Sequence, residues 1–237
     1  MLVQRHNRGV DTCSWWLIVH AVLIIASLFC IEAMAANSNA LHGVVRVESE
    51  EGVARPPSAE LVVFVDGFEA VSLPEVKEAE ITISQKNRVF TPRVLPITVG
   101  TSVRFPNDDT IYHNVFSLSE TKPFDLGIYP TGGLEVVTFD RPGLVKVFCN
   151  LHPNMASNVL VLNNGFFAKT DDAGRYEISG IPDGEFFVRV WGENVRSIDR
   201  QIELTGGQSF EANFVVDAVR RVVRHKNKFG MPYREKY

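Results

Sequence analysis

The sequence predicts an all-β protein built from two β-sandwiches. Short runs of alternating or β-branched residues recur along the chain, with turn-forming residues between them. No stretch before residue 216 keeps a helical period over three turns. The 237 residues are 45% hydrophobic and carry a net charge of −4. This composition suits a globular chain and argues against a nucleic-acid binder, whose surface would be strongly basic.

Residues 1–35 are predicted to be a signal peptide. Arg5 and Arg8 precede an uncharged run from Ser14 to Ile31. Ala33-Met34-Ala35 then provides the small-x-small pattern that signal peptidase accepts. Cleavage after Ala35 predicts a periplasmic protein, which the lack of an N-x-S/T acceptor in the remaining chain also favours. The alternative is an uncleaved membrane anchor, because this run just reaches spanning length.

Cleavage would leave one of the three cysteines in the mature protein. It removes Cys13 and Cys30, so Cys149 is the one cysteine that remains. Without a disulfide partner, a lone thiol in an exported protein is expected to be reactive, oxidised or bound to a metal.

Twelve strands are predicted between residues 43 and 215, with Gly, Pro, Asn and Asp clusters between them. They are Gly43–Val47, Glu60–Val65, Ala79–Ser84, Ser102–Phe105, His113–Leu118, Glu135–Phe139, Leu144–Cys149, Asn158–Leu162, Gly174–Ile178, Phe186–Trp191, Arg200–Leu204 and Ser209–Val215.

Residues 217–237 are predicted to form a basic C-terminal tail. From residue 216 onwards the chain has seven Lys/Arg and two acidic residues, so residues 36–215 carry −9. Val219, Val222 and Val223 have helical spacing. We expect a solvated, partly frayed tail in which His225 lies at the surface, and the alternative is a basic patch for an acidic partner or an anionic membrane.

The chemistry of the chain is concentrated in one short motif. Cys149, His152 and Met155 are spaced C-x2-H-x2-M, and His113 lies 36 residues upstream at the start of a predicted strand. One thiolate, two imidazoles and one thioether are the ligand set of a mononuclear copper site with a His2Cys plane and an axial Met. In the strand before the loop, Cys149 should share an apolar face with Val145 and Val147.

Copper is the cofactor that these residue types favour. Thiolate and thioether suit Cu(I), and imidazole suits Cu(II), so the site lies between the preferences of the two oxidation states. Zinc is an alternative for Cys and His ligands, although a thioether is a poor zinc ligand. A nucleophilic Cys–His pair and a purely structural role, with the Cys and Met in the core and the His at the surface, also remain open.

Residues 76–163 resemble the cupredoxins, the plastocyanin- and amicyanin-type blue-copper proteins. The resemblance rests on residues 90–109, on His113-Asn114 and on residues 148–155. It implies a Greek-key β-sandwich in which His113, Cys149 and His152 are equatorial copper ligands and Met155 is the axial one. It also implies that Asn114 ties the two ligand segments together, while Pro153 should restrict the loop that holds His152.

The flanking residues resemble a carboxypeptidase-regulatory, transthyretin-like sandwich. Residues 168–191 carry this resemblance, and an opening strand pair within 42–65 completes it. We therefore predict that residues 41–73 and 164–216 form one split sandwich into which the 76–163 domain is inserted. The alternative is a sequential order with a small N-terminal β-extension. The layout as a whole is similar to that of bacterial methylamine-utilisation-like proteins, which implies no defined activity.

The predicted function is one-electron transfer in the periplasm. The partner would be a redox protein such as a c-type cytochrome, a dehydrogenase or an oxidase domain. Copper trafficking without electron transfer, or a vestigial site in an interaction module, are the alternatives. The protein is not expected to be an enzyme, because copper oxidases and nitrite reductases need further His-rich sites and only His42 and His225 remain after cleavage.

Overall fold

The computed structural model describes residues 38–48, 54–55, 61–67, 81–219 and 225–233. Within these ranges the chain forms eighteen β-strands and no helix, which confirms the all-β prediction. The strands are β1 Asn39–Glu48, β2 Ala54–Arg55, β3 Val62–Asp66, β4 Ser84–Lys86, β5 Val89–Thr91, β6 Val94–Thr98, β7 Ser102–Pro106, β8 His113–Ser117, β9 Phe124–Tyr129, β10 Leu134–Thr138, β11 Gly143–Phe148, β12 Ala156–Leu162, β13 Phe167–Lys169, β14 Arg175–Ile181, β15 Gly184–Trp191, β16 Ile198–Leu204, β17 Ser209–Glu211 and β18 Phe214–Asp217.

The first and last of the described strands form one sandwich. β1 lies between β14 and β17 and also pairs with β18 and β2. The facing sheet has the order β13-β3-β15-β16. The apolar core between the sheets includes Leu41, Val63, Ile178 and Phe214. β1 and β3 thus pair with strands more than 100 residues later in the chain.

The strands between them form a second sandwich, which carries the predicted metal ligands. Its main sheet has the order β6-β12-β11-β8-β9, and β10-β7 and β4-β5 complete it. Its core contains Phe90, Phe105 and Phe139 together with Cys149 and Met155. Residues 68–80, where one predicted boundary falls, lie outside the described ranges, so the domain boundaries stay predictions.

The two sandwiches pack against each other through a small apolar cluster. Val62 on β3 meets Val94 on β6 and Leu160 on β12, with Trp191 packed alongside. An ion pair between Arg93 and Glu193, at 2.7 Å, links the same surfaces. The sandwich that contains β1 therefore contacts the ligand-bearing one at β6 and β12.

The strand predictions missed five strands, β2, β5, β6, β9 and β13, and two of these, β6 and β9, form the edges of the main sheet. β6 contains Pro96, and β9 contains Gly127 with a positive φ of 73°. Proline and glycine lower the strand signal, yet an edge strand tolerates both because one side of its backbone needs no partner. The predicted strand at 79–84 is also displaced, since Thr82 forms an isolated bridge and β4 begins at Ser84.

Several predictions fall outside the described ranges. These are the signal peptide of residues 1–35 and the helical spacing at Val222 and Val223. In the part of the chain that is described, we find no helix that would span a membrane.

Candidate metal centre

The four predicted ligands come from two neighbouring strand ends. His113 opens β8, whose five side chains are all buried. Cys149 directly follows β11, and His152 and Met155 lie in the loop before β12. β8 and β12 both pair with β11, so the chain brings His113 beside the loop.

Cys149 faces the core as the strand period predicts. Val145, Val147 and Cys149 are all fully buried, because alternate residues of β11 point to the same side of the sheet. Cys149 forms no disulfide within the described residues. Its thiol therefore faces the core at the end of β11.

Three donor atoms converge on one point. The Nδ1 atoms of His113 and His152 are 3.2 Å apart. The Cys149 Sγ lies 3.9 Å from His113 Nδ1 and 3.6 Å from His152 Nδ1. His113 and Cys149 are fully buried, and His152 is partly exposed.

This triangle has the size that a metal ion needs. A point in its plane lies about 2.1 Å from all three atoms, and protein nitrogen and sulfur ligands bind metals at about 2.0 to 2.3 Å. The two nitrogens and one sulfur are also the donor set that suits a soft transition metal. The residues therefore fit a mononuclear metal site.

Met155 belongs to the same loop and is completely buried. Its N–H donates to the His152 carbonyl at 3.1 Å, and its own carbonyl accepts the Cys149 N–H at 3.2 Å. These two hydrogen bonds join Met155 to the backbone of His152 and of Cys149. They fix the backbone of Met155 beside the donors, and the binding of its sulfur to a metal stays a prediction.

Pro153 lies inside the turn that the Met155 N–H closes. It follows His152 and occupies the second position of this four-residue turn, a position that the fixed φ of proline suits. The loop that carries His152 thus has little backbone freedom around it.

Asp109 is a site residue that the sequence analysis missed. Its Oδ2 lies 3.0 Å from His113 Nε2, so the imidazole donates there and turns its Nδ1 lone pair towards the site. Hydrogen bonds from the Arg88 N–H, His113 and the Thr110 N–H outweigh burial and lower the Asp109 pKa to about 2. The only sequence signal was its position four residues before His113, in a segment that resembles an ordinary turn.

A backbone N–H acts on the Cys149 sulfur, and burial acts on His152. The Leu151 N–H lies 3.4 Å from the Cys149 Sγ and donates to it. Burial lowers the pKa of His152, and the neighbouring imidazole of His113 and Arg88 lower it further. The lowered pKa favours the neutral imidazole, the form that binds a metal.

Asn114 is buried, but its hydrogen bonds lead away from the Cys149 loop. Its Nδ2 donates to Asp125 Oδ1 and to the Gly127 carbonyl, each at 2.7 Å. Its Oδ1 has no hydrogen-bond partner among the described residues. The predicted direct tie between the ligand segments stays a prediction.

The C-terminal residues also reach the site, which their composition did not predict. The Tyr233 hydroxyl donates to the Cys149 carbonyl, and His225 stacks on Phe148 instead of lying free at the surface.

Comparisons with known proteins return solved copper proteins. The chain is similar to a purple cupredoxin from Nitrosopumilus maritimus, with 27% identity and a TM-score of 0.32 over 35% of this chain and 100% of that one. It is similar to the Cu-containing nitrite reductase NirK from Thermus scotoductus, with 27% identity and a TM-score of 0.35 over 39% of this chain and 24% of that one. The P52G mutant of amicyanin gives 19% identity and a TM-score of 0.34 over 42% and 98%.

No protein-family model and no curated protein matches the chain.

Proposed function

We propose that this protein is an exported mononuclear copper protein that carries single electrons between redox partners. The observation that carries this proposal is the buried triangle of His113, Cys149 and His152, whose edges are 3.2, 3.6 and 3.9 Å.

His113, Cys149 and His152 would hold the ion, and the Met155 thioether would be a further, weaker ligand. Bound copper would supply a one-electron couple between Cu(I) and Cu(II). Thiolate and thioether favour the lower oxidation state, and imidazole accepts the higher one. This mixed set argues for copper over zinc and for redox chemistry over a structural metal.

The residues of the chain limit movement at the site. Asp109 orients His113, the Leu151 N–H donates to the Cys149 sulfur, and the Met155 backbone closes the loop. Donors that are fixed in this way need little rearrangement when the charge at the site changes by one. Low rearrangement favours electron transfer over delivery of the metal to another protein.

Electrons would enter and leave at His152. It is the one proposed ligand that is partly exposed, whereas His113, Cys149 and Met155 have no accessible surface. A partner that docks over His152 would approach the site through a single imidazole ring. Such redox encounters are typically small and transient.

A c-type cytochrome or a dehydrogenase with a basic docking face is the proposed partner class. Residues 36–215 carry −9, so association should slow as salt is added. The periplasm is the proposed location, because it follows from the signal-like residues 1–35. The sandwich that contains β1, which we propose to be transthyretin-like, would serve as a packing or docking module without catalysis.

Substitution of Cys149 by serine tests the proposal directly. Copper-loaded wild-type protein should show an intense visible thiolate-to-copper band, and Cys149→Ser should lose it. His42→Ala, on β1 of the other sandwich, is the matched control and should keep the band. Survival of the band in Cys149→Ser would refute the assignment.

Rapid mixing with a reduced c-type cytochrome separates electron transfer from trafficking. Fast oxidation of the cytochrome, slowed by salt, supports the proposed function. Loss of copper to an acceptor protein without any electron exchange would support trafficking instead. Protein purified without stoichiometric copper would favour a vestigial site.

A further inference from the structure

The C-terminal segment, defined here as residues 225–233, lies against the loop that carries the ligands. The His225 ring stacks on Phe148 with a centroid distance of 4.2 Å and an interplanar angle of 20°. The Tyr233 ring meets the edge of His225 at 5.1 Å and 83°. Phe148 immediately precedes Cys149, so the segment covers the end of β11 where the thiolate is attached.

Tyr233 contacts a proposed ligand directly. Its hydroxyl donates to the backbone carbonyl of Cys149 at 2.5 Å and is partly buried there. A hydrogen bond to this carbonyl fixes the peptide that joins Cys149 to Asn150. It therefore restrains the Cys149 side chain at its backbone.

Lys228 connects the Cys149 loop to the strand of His113. Its backbone N–H donates to Asn150 Oδ1 at 3.0 Å, and its Nζ donates to Asp125 Oδ2 at 2.6 Å. Asp125 Oδ1 in turn accepts the amide of Asn114, which follows His113. A continuous path of hydrogen bonds thus runs from Asn114 through Asp125 and Lys228 to Asn150.

The segment has internal order of its own. The Asn227 Oδ1 accepts the N–H groups of Phe229 and Met231, each at 3.0 Å. The Asn227 N–H donates to the Met231 carbonyl, and Gly230 takes a positive φ of 74° to complete the turn. The turn holds Lys228 in place between Asn150 and Asp125.

We infer that the C-terminal segment is a positioning element of the metal centre. It fixes the separation of the two ligand segments, a role that sequence similarity assigned to Asn114 alone. The inference rests on the proposed function for its link to copper. Tyr233 and Lys228 act through Cys149, Asn150 and Asn114, and touch no donor atom.

Tyr233→Phe is the decisive variant, because it removes the hydroxyl and keeps the ring. A hydrogen bond contributes about 1.4 kcal/mol or less, so copper should leave Tyr233→Phe up to about 10-fold faster when a chelator is added. The copper hyperfine splitting in the EPR spectrum should change as well. Tyr112→Phe is the matched control, since Tyr112 adjoins His113 but is 60% exposed, and it should match wild type in both measurements.

Hydrogen exchange of the metal-free protein separates this inference from the proposed function. In Tyr233→Phe the amides of residues 149–155 should exchange faster than in wild type, and in Tyr112→Phe they should not. Unchanged exchange would overturn the inference whether or not the protein takes up copper. Faster exchange would support it even if wild-type protein never showed the visible band.

A double-mutant cycle tests the contact between Lys228 and Asp125. Lys228→Met and Asp125→Asn should each speed the exchange of the 149–155 amides, and the double variant should add little to either one. Independent, additive effects would show that Lys228 and Asp125 do not act as a unit, and would overturn the proposed path.

Discussion

The Asp109 carboxylate lies 3.0 Å from the Nε2 of His113, four residues further along the chain. The N–H of Arg88 donates to the same oxygen at 2.8 Å, and the N–H of Thr110 donates to the other at 2.9 Å. The β4–β5 hairpin therefore anchors the group that orients a proposed copper ligand. Arg88 reaches this position with a positive φ of 60°, in the turn between the two strands.

Asp109→Asn should weaken copper binding and raise the reduction potential. The imidazole would lose its anionic partner and become a poorer donor, which disfavours Cu(II) more than Cu(I). Loss of such a partner typically costs about 10- to 100-fold in affinity. Chelator competition and voltammetry measure the two effects. Asp108→Asn makes the same charge change at an exposed neighbour and should behave as wild type; equal effects of both variants would refute a specific role for Asp109.

Met155→Leu should keep copper bound and shift the reduction potential. Leucine conserves the volume of this buried side chain but offers no sulfur donor, so the balance between Cu(I) and Cu(II) at the site would change. Voltammetry of the loaded variant provides the measurement, and Met231→Leu, at a residue that is 56% exposed, is the control. If Met155→Leu lost its copper altogether, Met155 would be a required ligand instead of a tuning one.

The sequence predicted the metal centre best where the ligands lie close together along the chain. Cys149, His152 and Met155 lie in one loop after a strand, so their spacing alone places them on one side of the sheet. To bring His113 to the same place, its strand only had to lie next to the strand before this loop. The structure shows this, because β8 pairs with β11. The apolar alternation of Val145 and Val147 likewise predicted correctly which way Cys149 faces.

The remaining contacts depend on pairings that local pattern does not encode. The Asp109 carboxylate receives an N–H from Arg88 across 21 residues, and the Tyr233 hydroxyl reaches the Cys149 carbonyl across 84. A basic, glycine- and proline-containing tail has the composition of a solvated segment. Its few aromatic residues gain a partner only because the end of β11 exposes Phe148 and the Cys149 carbonyl to them.

Gly43→Ala should destabilise the sandwich in which β1 pairs with β17 and β18. The Ala212 N–H donates to the His42 carbonyl, and the chain crosses Gly43 on its way from β17 to β18. A Cβ at Gly43 would overlap the backbone carbonyl of Ala212, which cannot move without breaking the sheet. We expect a loss of at least about 2 kcal/mol in the free energy of unfolding, measured in urea.

The control for this change is Gly165→Ala, where an added Cβ meets no atom within 4 Å. It should change the stability little. A Gly43→Ala variant as stable as Gly165→Ala would contradict the packing of β1 against the C-terminal strands.

The ion pair between Lys228 and Asp125 should make stability depend on pH. Burial raises the Asp125 pKa, but hydrogen bonds from Lys228, Asn114 and the Gly127 N–H outweigh it and leave the pKa below its ordinary value. A lowered folded-state pKa contributes stability above the unfolded value of about 3.9, and this contribution is lost as pH falls through the folded value. Lys228→Met should therefore cost up to about 1 kcal/mol at pH 7 and progressively less below pH of about 4, as urea unfolding of the metal-free protein would measure. Lys226→Met, at an exposed position two residues away, should cost little at either pH. A Lys228→Met penalty of equal size at both ends of this range would show that the Lys228 side chain stabilises the protein through contacts other than its ion pair with Asp125.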